Sequence, residues 1–228
     1  MKKYNLFLFT IVAMLCVSSH SAWAQYVKVT AEDGTVSWAE IAGDINGTDI
    51  EIHTNGARST VLESIKGAID LNEVWSESGG NGTHYQVTSI ADYSFYNCSG
   101  LTNVSIPEGV TSIGLLAFAN CSGLTNFSIP TSITRIERIA FAYCSGLESI
   151  SIPESVTSIG EEAFAYCSRL TSITSYITDV FATGRSAFGG CYDATLYVPK
   201  GTVRSYLLRG DWNSISSIKE IPIDLVMR

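Results

Sequence analysis

Cys98, Cys121, Cys144, Cys167 and Cys191 recur every 23 or 24 residues. Thiols can ligate a metal, pair as disulfides or act as nucleophiles, so this column is the first place to look for chemistry. Zinc sites use Cys and His clustered at short spacings, and nothing here resembles C-x-x-C. Equivalent positions of stacked rungs lie ~4.8 Å apart, within disulfide reach, but their side chains run parallel and resist the ~90° torsion a disulfide needs. Five is also an odd number. The spacing therefore predicts buried, free thiols and no metal or other cofactor.

Other reactive groups are sparse. Past residue 24 the histidines are His53 and His84, far apart in sequence. A Cys–His nucleophile pair needs an exposed thiol beside His84, which a buried column denies. Glu161-Glu162 is an acidic pair without an opposing partner for acid–base work, and reads as a solvated turn. Asp44, Asn46 and Asp49 lack the Gly and terminal Glu offsets of a calcium loop and read as an ordinary turn. Asn-x-Ser/Thr occurs at Asn46, Asn81, Asn97, Asn103, Asn120 and Asn126, where the asparagines serve turns and strands. They would be glycan acceptors only in a eukaryotic product. The expectation is a protein that is not an enzyme.

The cysteines sit in a repeat. Segments 98–120, 121–143 and 144–166 each read C-S-G-L followed by an apolar alternation, Ile-Pro, a second apolar pair and Ala-Phe. Segment 167–190 is one residue longer and lacks the Pro, and 85–97 is the back half of another copy. A fixed period of this size marks a solenoid. In 98–120, Leu101, Val104 and Ile106 follow an L-x-x-L-x-L rule, with Asn103 and Ser105 facing out. Pro107 ends that strand. Val110 and Ile113 form a second inward pair, Gly114 opens a turn, and Ala117-Phe118 leads a short helical or 3₁₀ corner. Phe95, Phe118, Phe141, Phe164 and Phe188 are the largest core fillers of their rungs. Ordering 23 residues costs ~1–2 kcal/mol each. Half a dozen apolar side chains return ~1.5–3 kcal/mol each when fully buried, so a rung must stack to fold.

The run LTNVSIPEGVTSIGLLAFANC, with its Ile-Pro and Ala-Phe-x-x-Cys elements, resembles the BspA-like leucine-rich repeats of bacterial surface proteins. The terminal run LYVPKGTVRSYLLRGDWNSISSIKEI (196–221) looks like the cap of those proteins. The resemblance implies a leucine-rich-repeat solenoid, a β-rich α/β right-handed superhelix of short strands and 3₁₀ or short helical corners, capped at both ends. For some members it implies binding of host extracellular proteins or cells. SITSYITDV in place of the strand-Pro run predicts an irregular fourth rung.

Lys2, Lys3, the apolar stretch 6–17 and Ala22-Trp23-Ala24 read as an export signal over 1–24, cleaved near Ala24. That stretch is too short to span a bilayer, and Leu15 before Cys16 is bulky for a lipidation site. Net charge is −8. Removing the signal leaves 12 basic against 22 acidic residues, a net charge of −10. Such a surface repels phosphate backbones and anionic lipid, which argues against nucleic acid and membrane-surface partners. No second hydrophobic span follows, so an exported product, secreted, periplasmic or surface-bound, is expected.

The remaining organisation reads as an N-terminal cap (25–84), a solenoid (85–194) and a C-terminal cap (195–228). In the first, 27–30, 36–38 and 50–53 read as strands, 33–34 as a turn, 64–71 as a brief helix or degenerate rung, and 76–82 as a loop. In the last, 196–198 reads as a strand, 202–209 as a short helix, and Trp212 as the seal of the final rung.

Two outward surfaces are candidate binding sites. One is the strand row Asn103/Ser105, Asn126/Ser128, Ser149/Ser151 and Ser172/Thr174, a flat polar docking face or a merely soluble sheet. The other is the corner patch of Leu115, Leu116 and Ile139, a partner contact or a surface covered by the N-terminal segment. The resulting expectation is an exported binding or adhesion module for an extracellular protein. Carbohydrate or cell-wall polymer recognition is the alternative, favoured if Tyr143, Tyr166 and Tyr192 share an edge. A structural spacer or assembly subunit is a further one, and the pattern leaves ligand and oligomeric state open.

Overall fold

The structure, a computed structural model, describes residues 25–30, 36–41, 43–46, 49–52, 66–76, 83–209, 212 and 215–222. The expected signal over 1–24, His53, the 33–34 turn and nearly all of the 76–82 loop lie outside these residues. The chain opens with β1 (Gln25–Thr30), β2 (Val36–Ile41), β3 (Gly43–Asn46) and β4 (Asp49–Ile52). Then follow two longer strands, β5 (Gly67–Ser76) and β6 (Thr83–Ile90). Of the 64–71 stretch, read as helix or degenerate rung, residues 66–71 are described, and 67–71 form strand rather than helix. Gly67–Asp70 of β5 runs parallel to β7 (Leu101–Ser105). On the opposite wall, β4 runs parallel to β6, whose Ile90 pairs with Ile113. Parallel stacking therefore starts before the recognisable repeat. The far end of β5, Val74–Ser76, pairs antiparallel with β6, and β1 of the antiparallel β1–β2 pair lies along both ends of β5.

From residue 91 onward each rung has two walls. The first consists of β7, β9 (Asn126–Ser128), β11 (Ser149–Ile152), β13 (Ser172–Ser175), β14 (Thr195–Val198) and β15 (Ser217–Glu220). From β9 to β15 these strands are parallel and in register. Between β7 and β9 the Thr125 N–H donates to the Thr102 carbonyl at 3.3 Å. The second wall holds the two-residue strands β8 (Ser112–Ile113), β10 (Arg135–Ile136) and β12 (Ser158–Ile159), also parallel. This is a leucine-rich-repeat solenoid of parallel strands, as the period implied.

Between the walls lies one continuous core. Phe95, Phe118, Phe141, Phe164 and Phe188 are all buried and stack in a single column, with ring centroids 4.9–5.3 Å apart and planes within 8°. The corners differ from a helical or 3₁₀ segment. They are successive turns, with Ala117 N–H on Gly114 C=O and Ala119 N–H on Leu116 C=O. Positive φ recurs at two positions per corner, such as Leu116 (φ 55) and Asn120 (φ 63). This twist turns alternate amides towards the next rung, so Leu116, Phe118 and Asn120 donate to Arg138, Ala140 and Ala142. Gly160 is needed where the corner passes closest to its neighbour, since a Cβ there would sit 2.5 Å from Arg138 N.

The irregular fourth rung is shaped for its cap. Ser175 takes the place held by Ile152 in the rung before, and its buried hydroxyl lies 2.7 Å from the Tyr206 hydroxyl of α1 (Val203–Leu208). Tyr206 also donates to the Ile177 carbonyl at 2.9 Å. Tyr176, where earlier copies have Pro, donates its N–H to Ile152 C=O, a bond Pro cannot make. Trp212 is fully buried, 5.4 Å from Phe188, and its indole N–H reaches the Phe181 carbonyl. Tyr206→Phe removes the hydroxyl that bonds the buried Ser175 and the Ile177 carbonyl and should lower unfolding stability by about 1–3 kcal/mol, read as a shifted urea midpoint.

Candidate functional site

The five repeat cysteines are all buried and free. Each of the last four points at the preceding rung: the thiols of Cys121, Cys144, Cys167 and Cys191 lie 3.1–3.3 Å from the carbonyl oxygens of Phe95, Phe118, Phe141 and Phe164. The carbonyls of Phe95, Phe118 and Phe141 also accept an in-rung amide, as when Cys121 N–H binds Phe118 C=O. The thiol is thus a compact donor that completes a buried acceptor while filling the core like a small hydrophobe. Burial pushes the Cys144 thiol up to about 12. Contact with the Cys98 thiol, then burial, raises Cys121, and Cys167 rises likewise through Cys191 and burial. These neutral thiols have little nucleophilic character.

The remaining reactive groups assemble no catalytic constellation among the described residues. His84 lies on β6, while Cys98 is 1% exposed. Glu161 is half-buried and paired with Arg138 at 3.3 Å, and Glu162 occupies a positive-φ corner position. Asn46 and Asp49 are paired at the end of the antiparallel β3–β4 ladder. No group of three or more His, Cys, Asp or Glu among the described residues is placed to hold a metal.

What the solenoid offers outward is surface. Asn103, Ser105, Asn126, Ser128, Ser149 and Ser151 are exposed, and Ser172 and Thr174 are half-buried. The register aligns Asn126, Ser149 and Ser172 in one column and Ser128, Ser151 and Thr174 in another. The face runs further than its repeat suggests. Thr195 and Tyr197 of β14, then Ser217 and Lys219 of β15, continue both columns. At the other end Asp70 pairs with Ser105, whose hydroxyl accepts from the Asn72 amide at 2.8 Å. This extension escaped the repeat pattern because β5, β14 and β15 carry strand alternation without the repeat's turn residues.

The corner patch is less open than its sequence suggests. Leu115, Leu116 and Ile139 are each half-buried. Leu116 and Ile139 (φ 59) share the positive-φ position with Tyr93 and Glu162, so the column is defined by backbone twist rather than by burial. For branched Ile139 that conformation is strained. Along the neighbouring corner column Asn97 and Asn120 form an amide ladder, 2.9 Å from Asn120 Nδ2 to Asn97 Oδ1. The next two members, Tyr143 and Tyr166, stack at 4.9 Å with an 11° interplanar angle. On the cap helix Leu207 and Leu208 are exposed, a feature the repeat period gives no signal for.

A family profile described as "BspA type Leucine rich repeat region" matches residues 83–201 in 6 copies. Among solved structures, a Treponema pallidum leucine-rich-repeat protein is similar over 80% of each chain, with 22% identity and a TM-score of 0.58. The pneumococcal vaccine antigen PcpA is 22% identical over 62% of this chain and 41% of its own, TM-score 0.45. A leucine-rich-repeat protein from Bacteroides capillosus is 26% identical over 66% of this chain and 93% of its own, TM-score 0.41. No curated protein matches the chain in sequence.

The thiol column carries a direct check. At neutral pH a thiol reagent should modify none of the five repeat cysteines in the native protein and all of them in denaturant. A raised folded pKa means the native state holds its proton more tightly. The stability from burying the neutral Cys144 thiol is therefore complete below its ordinary value of 9.0 and lost as pH climbs towards 12. The unfolding free energy read from denaturant titrations should fall across that window by ~1.4 kcal/mol per pH unit for Cys144.

Proposed function

The chain belongs to the BspA-type leucine-rich-repeat family, and from that premise we propose that it is an exported, non-catalytic module that binds an extracellular protein through the polar wall of its solenoid. Repeats of this family generally serve as binding scaffolds rather than catalysts. Among the described residues no helix is long and apolar enough to cross a membrane.

The observation that carries the reading is the first wall, where parallel strands in register hold small polar side chains outward from residue 126 to 174. Small side chains leave the face flat, so a partner can approach closely along several rungs. Affinity then comes from many modest contacts on a rigid surface instead of one deep pocket. Because Ile150 and its neighbours fill the core from the other side of the same strands, outward residues can change without disturbing packing.

The test is a binding screen of chain 25–228 against extracellular-matrix proteins at two salt concentrations, with Ser128→Arg and Ser149→Arg beside the parent. Each substitution should weaken the captured interaction at least tenfold while thermal stability stays within ~0.5 kcal/mol, as is usual for surface changes. Unchanged binding in both variants would place the contact elsewhere. A second reading, recognition of a glycan, is favoured by one observation, the exposed stacked pair Tyr143–Tyr166.

A further inference from the structure

Positive φ is a position most side chains avoid and Asn or Gly tolerate. One corner column meets that demand with Asn97, Asn120 and Gly190, yet its two middle members are Tyr143 (φ 62) and Tyr166 (φ 59). These tyrosines add little to the core, since the residues stand 51% and 52% exposed while phenylalanines fill the interior. Strain kept at an exposed site, where Asn would relieve it and extend an existing amide ladder, points to a contact outside the fold.

The strip continues past the pair. Tyr166 packs against Gly190, where a Cβ would come within 2.9 Å of the ring. Two residues on, Tyr192 stands 83% exposed in the place that Ser122, Ser145 and Ser168 hold in earlier rungs. Tyr143 and Tyr166 spend one face each on the other, and about half of each residue stays open to solvent. Tyr192 has no ring partner among the described residues and keeps its faces open.

We infer that the edge formed by Asn97, Asn120, Tyr143, Tyr166 and Tyr192 binds a neutral, linear polysaccharide laid along the solenoid axis. The inference rests on the reading of the chain as an extracellular binding module. Amides and phenols alternate donors and acceptors suited to sugar hydroxyls, and an open ring face suits the apolar side of a pyranose. None of the five is charged, and a chain of net charge −8 repels anionic polymers. An extended peptide advances ~3.3 Å per residue and falls out of step with rungs ~4.8 Å apart. A polymer of ring-sized monomers can place one sugar per rung.

Calorimetric titration of the full chain with cellohexaose, mannohexaose, chitohexaose and their disaccharides tests this, with polygalacturonate as the anionic control. Linkage preference separates an N-acetylglucosamine polymer, as in cell walls, from a hexose polymer. At least one hexasaccharide should bind tenfold or more tighter than its disaccharide, with polygalacturonate inert. Tyr143→Asn, Tyr166→Asn and Tyr192→Ser each restore a residue used in other rungs. Each should weaken hexasaccharide binding at least tenfold without lowering the thermal midpoint, while Ser128→Arg leaves it unchanged. No length-dependent binding by any neutral hexasaccharide, or parental affinity in Tyr166→Asn, overturns the proposal. So does loss of an extracellular protein partner, with glycan binding retained, in the tyrosine variants. If Ser128→Arg and Ser149→Arg leave protein capture intact while the tyrosine variants lose the glycan, the polar-wall reading fails and this one stands.

Discussion

Everything in this molecule depends on one rung lying squarely on the next. The contact is made three ways at once. Parallel strands share ladders on both walls, corner amides reach the following corner, and phenylalanine rings stack in a column about 5 Å apart. The thiols tie the layers together, because each donor crosses from its own rung to the carbonyl beside the previous phenylalanine. A disulfide or a metal would hold sulfur to sulfur or sulfur to ion. Here the sulfur satisfies a buried backbone oxygen, and that role needs a small, weakly polar donor at every layer.

That constraint explains which features could be read directly from residue order. Leu101, Val104, Ile113, Phe118 and Cys121 must recur because a mismatch at any of them leaves a void shared by two rungs. The period therefore revealed the solenoid, the buried thiols and the phenylalanine column. The stretch 64–71 was ambiguous because its strand pairs with β7 without carrying the repeat's turn residues. The corners depart from their local pattern for a different reason. Ala-Phe-Ala is a good helical triplet, but the neighbouring layer demands alternate amides pointing towards it, and only a twist with positive φ at Leu116 and Asn120 supplies them. Tertiary hydrogen bonding overrode local propensity.

The candidate surfaces were legible to a different degree. Strand alternation set Asn126, Ser128, Ser149 and Ser151 outward, because period two and burial on one side leave no choice. Their use is not encoded that way. Outward side chains contribute little to folding, so the physics that makes the interior predictable is silent about what the exterior holds. Leu115, Leu116 and Ile139 illustrate the gap. They read as an exposed patch, and the structure shows half-buried residues whose column is set by backbone twist.

Departures from the repeat are accordingly its most informative residues, and they sort by the direction they face. Inward departures serve the end of the stack. Ser175 replaces an aliphatic residue to receive the Tyr206 hydroxyl. There the core meets the cap instead of another copy of itself. Outward departures have no such explanation within the fold. Tyr143 and Tyr166 stand where Asn97 and Asn120 suffice, and Tyr192 stands where serines suffice. A repeating scaffold can stack without them, so the physical reason for large aromatics in strained or fully wet positions has to lie in what touches that edge from outside.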